Sequence, residues 1–187
     1  TWQLGDEILL SRLDQDAHVQ AWIPAAKASG AIVRWAEVDV ETAALPEWQY
    51  ERLITPRTRL VTIPLANPAT GVVPAVRHIA DLAHQMGALV VVDAGAAVPY
   101  LPLDLAELGA DLLAVSIASF GGPTVGAVIA RRGLLAELAD HAHGTTATTY
   151  EIGRLPVELL GGVIAAIDHL AGLDESATGT RRQRLVQ

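Results

Sequence analysis

Three polar residues sit just behind apolar runs. Asn67 follows the run at 59–65, Asp93 the run at 88–92 and Ser116 the run at 112–115. Short apolar runs of this kind suit strands buried on both faces of a parallel sheet. In such sheets ligands bind just beyond the carboxyl ends of the strands. If these strands run parallel, Asn67, Asp93 and Ser116 share one edge. A carboxylate there pairs with a protonated ring nitrogen such as a pyridinium. An amide orients a ring substituent, and a hydroxyl donates to a phosphate. Gly121, Gly122 and Gly126 permit close backbone approach beside Ser116. Asp93 has a plainer reading as well, as the cap of a turn or helix.

Other constellations carry less. Gly-Gly-Pro-Thr at 121–124 is not a phosphate loop of the Walker type, since no lysine follows. Asp14, Asp16 and His18 form a D-x-D-x-H pattern. A metal site would need all three to converge, and Asp16 is better placed to cap the helix that follows. His141 and His143 lie two apart in a polar stretch, and side chains at that spacing face the same way only on a strand. No metal site is expected. His78 and His84 fall on the outer face of a helix and are expected to be solvated. No serine sits in a G-x-S-x-G elbow, so a hydrolase triad has no nucleophile. The chain has no cysteine, which removes thiolate chemistry and disulfides from these residues.

The elements that must hold these residues alternate. Strands are expected at 7–13, 31–38, 59–65, 88–92, 111–115 and 124–130. Helices are expected at 18–29, 46–54, 75–86, 103–108, 133–140 and 156–170, with a further one near Ser176. Gly30, Gly87 and Gly109 stand where helices stop. Residues 142–152 read as a polar loop. The alternation predicts an α/β domain with a mainly parallel sheet between helical layers, a three-layer α/β/α arrangement. The loop before the strand at 124–130 is too short for a parallel crossover, so that strand is expected to be antiparallel.

Composition sets outer bounds. The chain has 187 residues, 51% of them apolar and 18% charged, enough for one domain with a real core. Its formal charge of −8 argues against a nucleic-acid partner, because phosphate backbones demand clustered lysine and arginine. The basic run at 181–184 reads as a solvated helix end. No apolar run reaches the roughly 18 residues of a membrane span, so no membrane partner is expected. No signal peptide is visible, and a cytoplasmic location is expected.

The motifs together resemble the large domain of class V aminotransferases, fold-type I enzymes that use pyridoxal phosphate, and most of all the cysteine desulfurase-like branch. The resemblance rests on Gly5-Asp6-Glu7, Asp14-Gln15-Asp16-Ala17-His18 with Trp22, and Thr55-Pro56-Arg57-Thr58-Arg59-Leu60-Val61. It continues through Ala66-Asn67 with Gly71 and Pro74, Ala83-His84, Gly87-Ala88, Val92-Asp93 and Gly109-Ala110-Asp111. Its last motif is Ser116 … Gly122-Pro123 … Gly126, set against the family's Ser-x-x-Lys-x-x-Gly-Pro-x-x-Gly. It covers most of residues 5–132 and is expected to extend to 173.

The resemblance implies roles. Asp93 would keep the pyridine nitrogen protonated, Asn67 would lie near the ring or substrate, and Ser116 would approach the phosphate. It also implies losses. The Schiff-base lysine falls on Ser119, which can form no imine with an aldehyde. The residue before it, usually histidine or an aromatic, is Ala118. The ring-stacking histidine falls on Gln15, the contact to the cofactor's 3′ oxygen on Ala96, and the usual asparagine of the first motif on His18. No catalytic residue is therefore assigned, and Gln15, Asn67, Asp93, Ala96, Ser116 and Ala118 are the expected cofactor-facing positions. The only lysine in the chain is Lys27.

By resemblance residues 1–187 are a single partial large domain, with the phosphate-binding turn upstream and a small domain downstream. The family acts as dimers on small amino acids. Two readings follow: a pyridoxal phosphate-dependent transferase or C–S lyase whose site is impaired, and a non-catalytic homologue that serves as a partner-binding scaffold or as one subunit of a dimer with a related chain.

Overall fold

The computed structural model describes residues 2–142, 157–173, 176 and 178–184. Six strands form one sheet in the order β2-β1-β3-β4-β5-β6. They are β1 (Glu7–Ser11), β2 (Ile32–Ala36), β3 (Thr58–Pro64), β4 (Leu89–Asp93), β5 (Leu112–Ser116) and β6 (Gly126–Ala130). The first five are mutually parallel, and β6 is antiparallel to β5 as its short approach loop requires.

Helices α1 (Asp16–Ser29), α2 (Glu47–Leu53) and α3 (Val76–Gln85) carry the crossovers. Strand alternation sends side chains to two separate cores. Leu9, Val61, Ile63, Val90 and Val92 meet Tyr50 of α2 and Ile79, Ala80 and Ala83 of α3 on one face. Ile8, Leu10, Leu60 and Val91 meet Val19 and Ala26 of α1 on the other. The sheet is thus sandwiched between helices, in three layers. The chain starts at β1, steps outward to β2, then crosses back to β3, so α1 and α2 lie on opposite faces. The point between β1 and β3 where this reversal happens is a topological switch, the usual crevice for ligands in open α/β sheets.

Local chemistry sets the boundaries. β1 ends earlier than residue 13 because the Ser11 hydroxyl accepts from the backbone N–H groups of Leu13 and Asp14, both at 3.1 Å, and turns the chain. α1 begins at Asp16, two residues before its expected start. Gln15 occupies the cap position without a side-chain cap bond, and Asp16 is a first-turn acid that favours the helix dipole. α1 ends at Gly30, whose φ of 73° is left-handed. α4 (Leu105–Leu108) starts later than residue 103, because the Asp104 carboxylate caps it by accepting from the N–H groups of Ala106 and Glu107. Gly109 closes it with a φ of 69°.

The chain continues through α5 (Leu134–Ala142), α6 (Val157–Ala171) and α7 (Arg181–Arg184). Most of the loop expected at 142–152 lies outside the described residues. No helix among the described residues is long and apolar enough to cross a membrane.

Candidate functional site

Because β3, β4 and β5 are parallel neighbours, Asn67, Asp93 and Ser116 stand along one edge of the sheet. Asp93 is the last residue of β4, in register with Pro64 and Ala114, and half-buried. Its Oδ1 accepts from the Gly95 N–H at 2.8 Å, while its Oδ2 has no hydrogen-bond partner among the described residues. Gly95 must be small here: a Cβ on it would stand 3.0 Å from Asp93 Oδ1 and 4.0 Å from Ser116 Cβ. Ser116 ends β5, paired with Gly126, and its hydroxyl makes no hydrogen bond among the described residues.

Asn67 holds the switch point together. Its Nδ2 donates to the Leu13 carbonyl at 2.8 Å, tying the loop after β3 to the loop after β1. Its Oδ1 accepts from the N–H groups of Ala69 and Thr70 at 2.9 and 3.1 Å, which shapes the loop leading to α3. Both ends of the amide are therefore committed to backbone. Next to it Asp14 Oδ2 accepts from the Ser11 N–H at 3.1 Å and the Thr62 hydroxyl at 2.9 Å, and its Oδ1 lies 3.5 Å from His18 Nδ1. His18 packs edge-on to the Trp22 ring. Asp14 and His18 thus converge, whereas Asp16 is exposed on the outside of α1. Tyr50 lies fully buried below them with no partner for its hydroxyl among the described residues. Burial foremost, and then the charge of Asp14, push its phenol above the usual tyrosine range.

Around this edge the remaining positions are small or polar. Ala96 is half-buried in the turn after β4. Ala118 and Ser119 are exposed in a 3-10 turn at Ile117–Phe120, where the Ser119 hydroxyl donates to the Ser116 carbonyl at 2.6 Å. Gln15 is exposed at the start of α1. Lys27 lies elsewhere. α1 leaves the carboxyl edge at Asp16 and returns to the amino edge, where β2 begins, and Lys27 is in its last turn. Eleven residues of helix carry it about 16 Å from Asp16. It stands at the opposite edge of the sheet from Asp93.

A second charged cluster occupies that amino edge. Asp111, almost fully buried, accepts from the Val90 N–H at 2.8 Å and from Arg131 Nε at 2.6 Å, and its Oδ2 lies 2.9 Å from His84 Nε2. Arg131 also donates to both carboxylate oxygens of Glu137. Burial works to raise the Asp111 carboxyl, but the hydrogen bonds from His84, Val90 and Arg131 outweigh it and hold it below the usual aspartate range. His84 is exposed, as expected of a solvated residue, and its ring is also hydrogen-bonded to this acid. A signal was present: in an antiparallel β5–β6 pair, the residue before β5 faces the residue after β6, which sets Asp111 beside Arg131. A depression of about 680 Å³ lined by His84, Asp111, Arg131 and Arg132 opens here, away from Asp93.

The architecture is that of a doubly wound α/β domain, with an acid ending one strand and a hydroxyl ending the next along the carboxyl edge, the side on which open sheets of this kind commonly take ligands. The chain belongs to the aminotransferase class-V family, whose model matches residues 1–186. It is 45% identical over 186 residues to "Uncharacterized protein MT3887" of Mycobacterium tuberculosis (strain CDC 1551 / Oshkosh), covering 97% of this chain and 47% of that one. It is 30% identical over 182 residues to the cysteine desulfurase of Haloferax volcanii, covering 89% of this chain and 42% of that one. Its fold matches the cysteine desulfurase CsdA of Escherichia coli with a TM-score of 0.80 at 27% identity, over 92% of this chain and 47% of that one. The chain thus spans less than half the length of these relatives. Class V aminotransferases and cysteine desulfurases depend on pyridoxal phosphate. The residues present fit one part of that group and not another. Asp93 Oδ2 suits a ring N–H, but no amine stands at this edge to hold an aldehyde.

Proposed function

We propose that this chain is a cysteine desulfurase-like, class V aminotransferase-like domain that forms no imine on its own. The observation that carries this reading is the placement of the only lysine: Lys27 sits at the amino edge of the sheet, and the loop at the carboxyl edge offers Ser119. A serine hydroxyl neither captures an aldehyde nor supplies the amine base that moves an α-proton. The chain's residues can still orient a ring: Asp93 through a carboxylate fixed by Gly95, and Ser116 through an unengaged hydroxyl. The test is a visible spectrum of the purified chain mixed with pyridoxal phosphate, followed by borohydride and peptide mapping. The expected result is no aldimine band and no reduced adduct. A band in the native chain, with the adduct on Lys27, overturns the reading.

A partner-binding role has its own support. Val128 and Ile129 of edge strand β6 are 67% and 46% exposed, and Val157, Leu159 and Ile164 of α6 are exposed too. Exposed apolar side chains on an edge strand and on a helix favour burial against another polypeptide, in a homodimer or with a related subunit. Light scattering across a dilution series tests this, with association expected and a strictly monomeric chain as the contrary result.

A further inference from the structure

Resting on the partner-binding reading above, we infer that the outer edge of β6 pairs antiparallel with β6 of a second copy of this chain, joining two six-stranded sheets into one. The backbone carries the argument. β6 is an edge strand, antiparallel to β5. Arg131 donates its N–H to the Asp111 carbonyl at 2.9 Å, and the Val125 carbonyl accepts from Ile117 at 2.9 Å. In an antiparallel ladder, residues with both backbone groups toward the neighbour alternate with residues whose groups point away. Ala127 and Ile129 therefore face β5. Gly126, Val128 and Ala130 turn their N–H and C=O groups outward, with no strand beside them among the described residues.

The occupant follows from the symmetry of that set. A twofold axis at Val128 sets this residue opposite its own copy and Gly126 opposite Ala130, so every outward group meets an outward group. A slip of one residue would set outward groups against inward ones and lose the ladder. The side chains agree with the register. The exposed Val128 packs on its own copy, and the exposed Ile129 lies opposite Ala127. The strand, Gly-Ala-Val-Ile-Ala, holds no charge and no proline. The axis sets Arg131 and Arg132 opposite Val125 and Thr124, so no like charges meet. The other edge of the sheet is protected. β2 carries Arg34 within the strand, and the Arg12 guanidinium lies over the Trp35 ring at 3.9 Å. Charge on an edge strand blocks its pairing with another sheet. Of the two edges, the open one is the one whose sequence pairs with itself.

Amide exchange of the native chain, read by NMR at concentrations below and above the association midpoint, tests this, with sedimentation velocity alongside. The N–H groups of Gly126, Val128 and Ala130 are expected to slow by about tenfold or more in the associated chain, while those of Ala127 and Ile129 change no more than the rest of β5. Val128→Pro removes an outward N–H and no bond to β5, at the kind of position where edge strands accept proline. It is expected to weaken association by at least about tenfold, with circular dichroism matching the native monomer. Val128→Lys keeps the backbone, sets two ammonium groups opposite each other and is expected to weaken association too. Val128→Thr, uncharged and β-branched, is expected to keep it within about threefold. A chain that stays monomeric at every concentration overturns both this inference and the homodimer form of the reading beneath it. Association that Val128→Pro and Val128→Lys leave unchanged, or that brings no protection at Val128 and Ala130, overturns the inference and leaves the reading standing.

Discussion

His84 Nε2 lies 2.9 Å from Asp111 Oδ2, joining the last turn of α3 to the residue just before β5. Arg131 reaches the other oxygen of the same carboxylate, so one buried acid ties α3, β5 and the exit of β6. Its carboxyl is held below the usual aspartate range, which fixes the sign of its linkage to pH. The stabilisation is present above the unfolded-state value near 4 and is lost as pH falls through the lower folded value. Asp111→Asn should cost about 1–3 kcal/mol at neutral pH. In urea titrations that difference from wild type should shrink steadily in acid, and a constant difference down to acid unfolding would contradict it.

Gly122 and Gly121 should respond differently to alanine. A Cβ on Gly122 would run into Ile117 Cγ2 and stand 3.1 Å from the Ile117 carbonyl and 3.2 Å from Ala166 Cβ. Overpacking between the turn and α6 should cost about 1–3 kcal/mol. Gly121 has open space around it but a φ of 84°, so its alanine variant should cost about 1 kcal/mol through backbone strain alone. Thermal melts of the two variants check the order.

Tyr50 separates packing from polarity. Its ring is fully buried and its hydroxyl has no hydrogen-bond partner among the described residues. Tyr50→Phe should therefore be neutral or stabilising by up to about 1 kcal/mol, whereas Tyr50→Ala should cost about 3–5 kcal/mol. Chemical denaturation of both variants reads the contrast, and a marked loss in Tyr50→Phe would show that the hydroxyl has a partner.

Asn67→Ala should loosen the switch point. It removes the bond to Leu13 and those from Ala69 and Thr70, at a cost of about 2 kcal/mol. Amide exchange at Ala69, Thr70 and Gly71 should accelerate, while that of β4 and β5 follows only the global change.

Much of this molecule can be read from its residues. The antiparallel turn of β6 follows from a loop too short for a crossover, and the ends of α1 and α4 follow from Gly30 and Gly109. The start of α1 is harder to read. Asp16 resembles a cap, but the Ser11–Asp14 turn uses up the chain before it and makes Gln15 the cap residue. His84 is legible as solvent-exposed, but its bond to Asp111 is not, because that partner is 27 residues away and meets it only once the sheet has formed. For the same reason Asn67 looks available: its engagement with Leu13 spans 54 residues and depends on β1 and β3 being neighbours. Local periodicity carries the elements, whereas polar commitments across elements need the topology first.

The loop from β5 to β6 is closed by its own backbone. Ile117 donates to Val125 at 2.9 Å, Gly122 to Ile117 at 3.1 Å and Gly121 to Ala118 at 3.3 Å. None of these bonds involves the side chain at position 119, which is exposed. Had β6 been parallel, this stretch would have been the head of a crossover helix, and its side chains would have carried packing. As a hairpin it is a removable handle. The side chain at position 119 can therefore be exchanged without any strand losing register, so the architecture and the chemistry of this loop are physically separable.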